Sequence, residues 1–188
     1  MTNVALRVIA GSVGGRRLVA PNDGARPTTD RVKEALFSSL GSRVRGATVL
    51  DLYAGSGALA IEALSRGAAR AVLVDRDRAA DAAIRSNLDA TGLADAARVH
   101  RVGVPTFLTG AVPEAPFDLV FLDPPYDLAS EEVAGVLADL GDRGLVVAGA
   151  TVVIERPRTG SPVVLPPGWG TERERAYGDT LLVIAHTG

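Results

Sequence analysis

The chain has no cysteine, which excludes a disulfide framework, a thiol nucleophile and a thiolate zinc site. Aromatic residues make up only 4% of it, with a single Trp, so an aromatic side chain in a polar context stands out. The only lysine is Lys33 among 20 basic residues, so no Tyr-x-x-x-Lys pair of a nicotinamide-dependent reductase exists. The two histidines, His100 and His186, stand apart in sequence and read as structural; no metal is expected. There is no run of about 18 apolar residues, and the first residues have neither the length nor the layout of a leader. The expectation is a cytoplasmic protein without a membrane span.

What is present is 188 residues, 47% of them hydrophobic. That suits one domain with a small appendage, able to bury roughly two-thirds of its unfolded surface. The net charge of -2 conceals a division. Residues 1–45 carry eight basic groups and three acids, a net +5, and the remainder carries -7. A basic appendage (1–45) on an acidic body (46–188) is the distribution of a polyanion-binding arm on a catalytic domain.

Within the first segment, Leu6, Val8 and Ala10 precede Gly11-Ser12-Val13-Gly14-Gly15 and Arg16-Arg17-Leu18-Val19, which predicts a β-hairpin. After Arg26-Pro27, a residue among Thr28, Thr29 and Asp30 caps a helix that ends at Gly41. From residue 47 onward the punctuation predicts strands at 48–52, 71–74, 98–102, 117–122 and 151–154. Helices at 58–66, 77–91, 106–109 and 130–140 separate them, and 172–177 with 180–186 form a closing hairpin. Strands alternating with helices give an α/β fold with a mostly parallel sheet covered on both faces.

Leu50-Asp51-Leu52-Tyr53-Ala54-Gly55-Ser56-Gly57-Ala58 reads as strand, glycine turn and helix start, where free backbone N–H groups face a ligand. Asp75, 20 residues beyond Gly55 at the end of the next strand, is placed to accept ribose hydroxyls. Both nicotinamide dinucleotides and S-adenosylmethionine use such a loop. Asp51 lies at the strand end, where it would repel a pyrophosphate and attract a sulfonium or ammonium, unless it caps the following helix.

Asp123-Pro124-Pro125-Tyr126 follows the apolar strand Phe117–Leu122, at the carboxyl end where ligands of doubly wound sheets bind. Consecutive prolines stiffen the loop and leave only carbonyl acceptors. Asp123 and the Pro124 carbonyl are therefore placed to accept from one exocyclic NH2 and turn its lone pair toward an electrophile. Tyr126 offers a face on which an unstacked base can lie. Glu155 ends the fifth strand near this crevice without an assigned role. Trp169 reads as core cover under a loop rather than as a stacking platform.

These residues, with Arg26-Pro27-Thr28-Thr29-Asp30-Arg31-Val32-Lys33-Glu34-Ala35-Leu36-Phe37, resemble the bacterial 16S ribosomal RNA guanine-N2 methyltransferases over nearly the whole chain. The resemblance implies a seven-stranded Rossmann-like methyltransferase fold with a C-terminal antiparallel hairpin and S-adenosyl-L-methionine as cofactor. It implies a guanine of 16S rRNA in the assembled small ribosomal subunit as substrate, approached by a monomer. The cofactor would lie against Asp51, Tyr53, Ala54, Gly55, Ser56, Gly57, Asp75, Arg76, Gly103 and Val104. The target amine would meet Asp123, Pro124, Pro125 and Tyr126, and RNA would meet Arg7, Arg16, Arg17, Arg26, Thr28, Arg31 and Lys33. Gly103 stands where the family usually carries an Asn or Asp toward the adenine. A DNA adenine-N6 methyltransferase shares both motifs and is the alternative reading; a non-catalytic assembly factor would retain the fold alone.

Overall fold

The computed structural model describes residues 6–21 and 30–188; the predicted RNA contacts Arg26 and Thr28 fall outside them. The fold is α/β. Seven strands, β1 (Thr48–Leu52), β2 (Arg70–Asp75), β3 (Ala97–Arg101), β4 (Phe117–Leu122), β5 (Val146–Pro157), β6 (Gly170–Tyr177) and β7 (Thr180–His186), form one sheet in the order β3-β2-β1-β4-β5-β7-β6. The first five are parallel, and β7 enters antiparallel between β5 and β6. This is the arrangement the resemblance implies.

Alternation along the strands divides the core into two layers, as a period of two requires. Val49, Leu73, Leu119, Phe121 and Val153 face α1 (Asp30–Leu40), α2 (Ala58–Ser65) and α3 (Arg78–Thr91). Leu50, Leu52, Val74, Val120 and Ile154 face α4 (Val104–Thr109) and α5 (Ser130–Asp142). All five residues of β1 are buried, as the central strand of a doubly covered sheet demands. Each fully buried side chain such as Phe117 or Leu52 contributes roughly 1.5–3 kcal/mol relative to exposure. Local signals set the helix ends: the Asp77 carboxylate accepts from Ala79 N–H at 2.8 Å, and Gly92 closes α3 at φ 71°.

β5 runs well beyond the predicted 151–154, because β7 pairs with it through Glu155↔Leu182, Arg156↔Leu181 and Pro157↔Thr180. Pairing with β7 carries the strand on to Pro157, and at its start Val146 pairs with Phe117 of β4. The predicted N-terminal hairpin narrows to one antiparallel bridge, Arg7 with Arg17, flanked by Leu18 N–H to the Leu6 carbonyl at 2.8 Å and Val8 N–H to the Arg16 carbonyl at 2.9 Å.

Further backbone groups of that segment are taken by α2. Ile9 and Ala10 N–H donate to the two oxygens of Glu62 at 2.7 and 3.1 Å, and Ser12 N–H donates to the Ser65 carbonyl at 2.7 Å. The contact is close at Gly11, where a Cβ would stand 2.0 Å from the Ser65 carbonyl oxygen. Glu62 is fully buried, and the Arg66 guanidinium meets it at 2.6 Å. Lys33 is buried too; its ammonium donates to the Arg7 carbonyl and lies 3.7 Å from Asp30. Burial pushes the Lys33 ammonium below its ordinary pKa, while Glu62 and then Asp30 oppose the shift. The expectation that Lys33 grips RNA is therefore corrected: a fully enclosed ammonium has no route to a phosphate.

Removing Glu62 leaves two arm N–H groups without their acceptor and the buried Lys33 without the larger of its two opposing charges. Glu62→Ala should lower stability by about 3–5 kcal/mol and the melting temperature correspondingly, by differential scanning calorimetry. An unchanged melting temperature would show that the cluster contributes nothing net.

Candidate active site

Parallel strands deliver the residues that follow them to one edge of the sheet. There a crevice of about 810 Å³ opens, within the range of small-molecule sites. Tyr53 and Gly55 line it after β1, Asp75, Arg76 and Asp77 at the end of β2, Gly103 and Val104 after β3, and Asp123 to Tyr126 after β4. Glu155 on β5 and Glu132 on α5 complete a wall that, among the described residues, carries five carboxyl groups against the guanidinium of Arg76.

The glycine turn is held from three sides. Gly55 N–H donates to Asp75 Oδ2 at 2.9 Å, while Asp75 Oδ1 accepts from Asp77 N–H at 2.9 Å. Tyr53 takes φ 60°, a left-handed conformation rare for a bulky residue and concentrated at functional sites. Gly57, at φ 74°, leaves no room for a side chain: a Cβ would meet Leu73 at 2.9 Å. It brings α2 against the sheet and does not line the crevice. Ser56 offers its carbonyl to the Asn87 side chain at 2.9 Å. The same carboxamide accepts from Val19 N–H at 2.8 Å and donates to the Val19 carbonyl at 2.9 Å. Asn87 thus ties the arm to the turn, a link that no local pattern within α3 announces.

Asp51 lies beneath the crevice, buried to 2% exposure, and its Oδ2 accepts from Ala60 N–H in the first turn of α2 at 3.1 Å. Of the two readings left open for it, the structure shows the contact with the helix N-terminus. Burial pushes its carboxyl up to about 8, opposed by the Ala60 N–H and reinforced by Asp75.

Asp123 sits well above the usual carboxylate range, first because it is buried and then because Glu155 and Asp51 are close. Tyr126 presents its ring at 42% exposure, while its hydroxyl is anchored 2.7 Å from Thr180 Oγ1 and 3.5 Å from Glu155 Oε1. The Arg156 guanidinium donates to the Leu128 carbonyl at 2.9 Å, pinning the far end of this loop. An electronegative, partly dry crevice of this kind suits a cationic ligand beside an amine donor.

Most of the sequence-predicted cofactor and target residues therefore meet in one cavity. Ala54, Ser56 and Gly57 shape the turn without lining it, and Glu155, Glu132 and Pro21 join from outside the prediction. Glu155 was signalled by its position directly after an apolar parallel strand. A Cβ placed on Gly103 would meet nothing within 4 Å, so the space beside it is open. Arg7, Arg16, Arg17 and Arg31 are exposed outside the crevice, and the Arg7 guanidinium meets Asp30 at 2.7 Å. His186 pairs with Glu172 at 2.6 Å, His100 packs on Phe107, and Trp169 packs against the α5 layer. Among the described residues there is no group of three or more candidate metal ligands, and no helix long and apolar enough to cross a membrane.

Between pH 3.8 and about 8 the unfolded chain releases the Asp51 proton while the folded chain retains it, so stability falls as pH rises through that window. Asp51→Asn keeps an acceptor for Ala60 N–H and removes the titration. Its melting temperature should gain steadily on the unsubstituted protein across that window. Two curves running parallel would place the Asp51 pKa near its ordinary value.

Residues 6–186 match a family model described as conserved hypothetical protein 95. Ribosomal RNA small subunit methyltransferase D of Escherichia coli K12 is 41% identical over 178 residues, covering 92% of this chain and 85% of that protein. YlbH of Bacillus subtilis strain 168 is 39% identical over 185 residues, covering 95% and 97%. The solved structure of yhhF from Escherichia coli superposes with a TM-score of 0.83 at 38% identity, covering 96% of this chain and 97% of that one. Matched over nearly its whole length by this family model and by these relatives, the chain belongs to the ribosomal RNA small subunit methyltransferase D family and has the fold of S-adenosylmethionine-dependent methyltransferases.

Proposed function

We propose that this protein transfers a methyl group from S-adenosylmethionine to the exocyclic N2 amine of a guanine in 16S rRNA, acting as a cytoplasmic monomer on the assembled small subunit. One observation carries the reading: the Gly55 turn with Asp75 and the Asp123-Pro124-Pro125-Tyr126 loop line the same cavity. The ribosomal name of the 41% identical relative favours RNA over the DNA adenine-N6 alternative.

The residues present fit the cofactor, because the five carboxyl groups and one arginine among the described lining residues favour a ligand bearing ammonium and sulfonium charges. When bound, S-adenosylmethionine supplies an electrophilic methyl group. Asp75, oriented by the Gly55 and Asp77 N–H groups, retains acceptor capacity for ribose hydroxyls. Gly55 and Tyr53 hold the methionine end, with Asp51 supporting them from below. Asp123 and the Pro124 carbonyl accept from the target amine, so that its lone pair is directed away from them, and Tyr126 stacks on the base. Holding the amine in such a near-attack geometry supplies roughly 7–11 kcal/mol. Once nitrogen has gained the methyl group, Asp123 takes its surplus proton; the shift of its carboxyl above the ordinary range makes it a better acceptor than an exposed aspartate. Arg7, Arg16, Arg17 and Arg31, with Arg26 and Thr28, contact phosphates and position the RNA.

Ribosomal nucleosides from a strain lacking the protein should have lost one N2-methylguanosine by mass spectrometry. Asp123→Ala should fail to restore it while calorimetry still detects cofactor binding; restoration by that variant would overturn the assignment. Arg16→Ala with Arg17→Ala should weaken binding to small subunits and reduce the slope of log affinity against log salt by about 2 if both arginines contact phosphates. An unchanged slope would remove the arm from the interface.

A further inference from the structure

Leu122 and Ile154 are opposite each other in the parallel register of β4 and β5. Asp123, the first residue past β4, and Glu155, still within β5, therefore lie side by side, one strand spacing of about 4.8 Å apart, and both line the crevice. Glu155 is 9% exposed. The hydroxyls of Thr180 and Tyr126 stand 3.4 and 3.5 Å from its Oε1 and 2.7 Å from each other. One small network thus sets the positions of a carboxylate and of the ring proposed to stack on the base. A second carboxyl group beside Asp123 is unfavourable in a buried site, as the upward shift of Asp123 records. Orienting an amine requires only Asp123 and the Pro124 carbonyl, and Glu155 lines the same crevice beside them.

Among nucleobases with an exocyclic amine, guanine alone presents a ring N–H next to that amine on its Watson–Crick edge. Adenine and cytosine present a ring-nitrogen lone pair there. Two adjacent carboxylates complement the first pattern and repel the second. We propose that Glu155 accepts the guanine N1–H while Asp123 accepts from N2, making Glu155 the residue that selects guanine over adenine and cytosine. The proposal rests on the guanine-N2 reading above.

The test uses small subunits assembled with either guanine or 2-aminopurine at the methylated position. 2-Aminopurine keeps the exocyclic amine and replaces N1–H by a lone pair. The unsubstituted enzyme should prefer guanine by about 100-fold in kcat/KM, the scale at which a buried site rejects a partner lacking one hydrogen bond. In Glu155→Gln, whose amide presents either a donor or an acceptor, the preference should fall to about 10-fold or less, mainly through loss on guanine. Glu155→Asp, which withdraws the carboxylate but keeps its charge, should retain more of the preference than Gln. Equal use of both bases by the unsubstituted enzyme, or an undiminished ratio in the folded Gln and Asp variants, would overturn the proposal. Methylation of neither base by the unsubstituted enzyme would instead defeat the guanine-N2 reading, and the proposal with it.

Discussion

Parallel strands bring the residues at and just beyond their carboxyl ends together at one edge, and here many of those residues are acidic. Asp75, Asp123 and Glu155 line a single crevice with Asp77 and Glu132, with Asp51 directly below. Packing carboxylates together where water is scarce raises the free energy of the ionised state, which is why Asp51 and Asp123 lie above their ordinary range. A cation placed among them relieves that repulsion. The same crowding favours a positively charged methyl donor.

The crevice is usable because its two loops are rigid for unrelated reasons. The glycine turn is held by a carboxylate from the adjacent strand and by the Asn87 side chain. The Asp-Pro-Pro-Tyr loop is stiff in its own backbone and is fastened at Tyr126 by the β5–β7 region and at Leu128 by Arg156. The closing hairpin therefore does more than extend the sheet, since Thr180 at the start of β7 holds the tyrosine whose ring faces the opening.

The amino-terminal segment shows how a basic arm is made continuous with the body. Its apolar residues Leu6, Val8 and Leu18 share a core layer with α1, α2 and the sheet. Its backbone hydrogen bonds go largely to Glu62, Ser65 and Asn87 rather than to a partner strand. One cation of the arm, Lys33, is consumed by this attachment, while among the described residues Arg7, Arg16, Arg17, Arg31 and Arg45 stay exposed. Asn87 contacts both Val19 and Ser56, so the arm and the glycine turn are braced by one side chain.

Much of this was legible without coordinates. Alternating strands and helices, the glycine turn, the distance from Gly55 to Asp75 and the Asp-Pro-Pro-Tyr loop are local signals, and local backbone chemistry obeys them. β1 and α3 formed where apolar runs, Asp77 and Gly92 indicated. The roles that depend on partners far along the chain were different. Whether Lys33 met solvent or Glu62, whether Asp51 faced the cavity or α2, how far β5 ran once β7 joined it, and how close Glu155 came to Asp123 were all decided by packing. The sequence by itself determined the order of elements and the chemical types at the sheet edge, because periodicity and turn chemistry act over a few residues. The tertiary structure decided which charges were buried and which were available, because desolvation and charge pairing depend on neighbours tens of residues away.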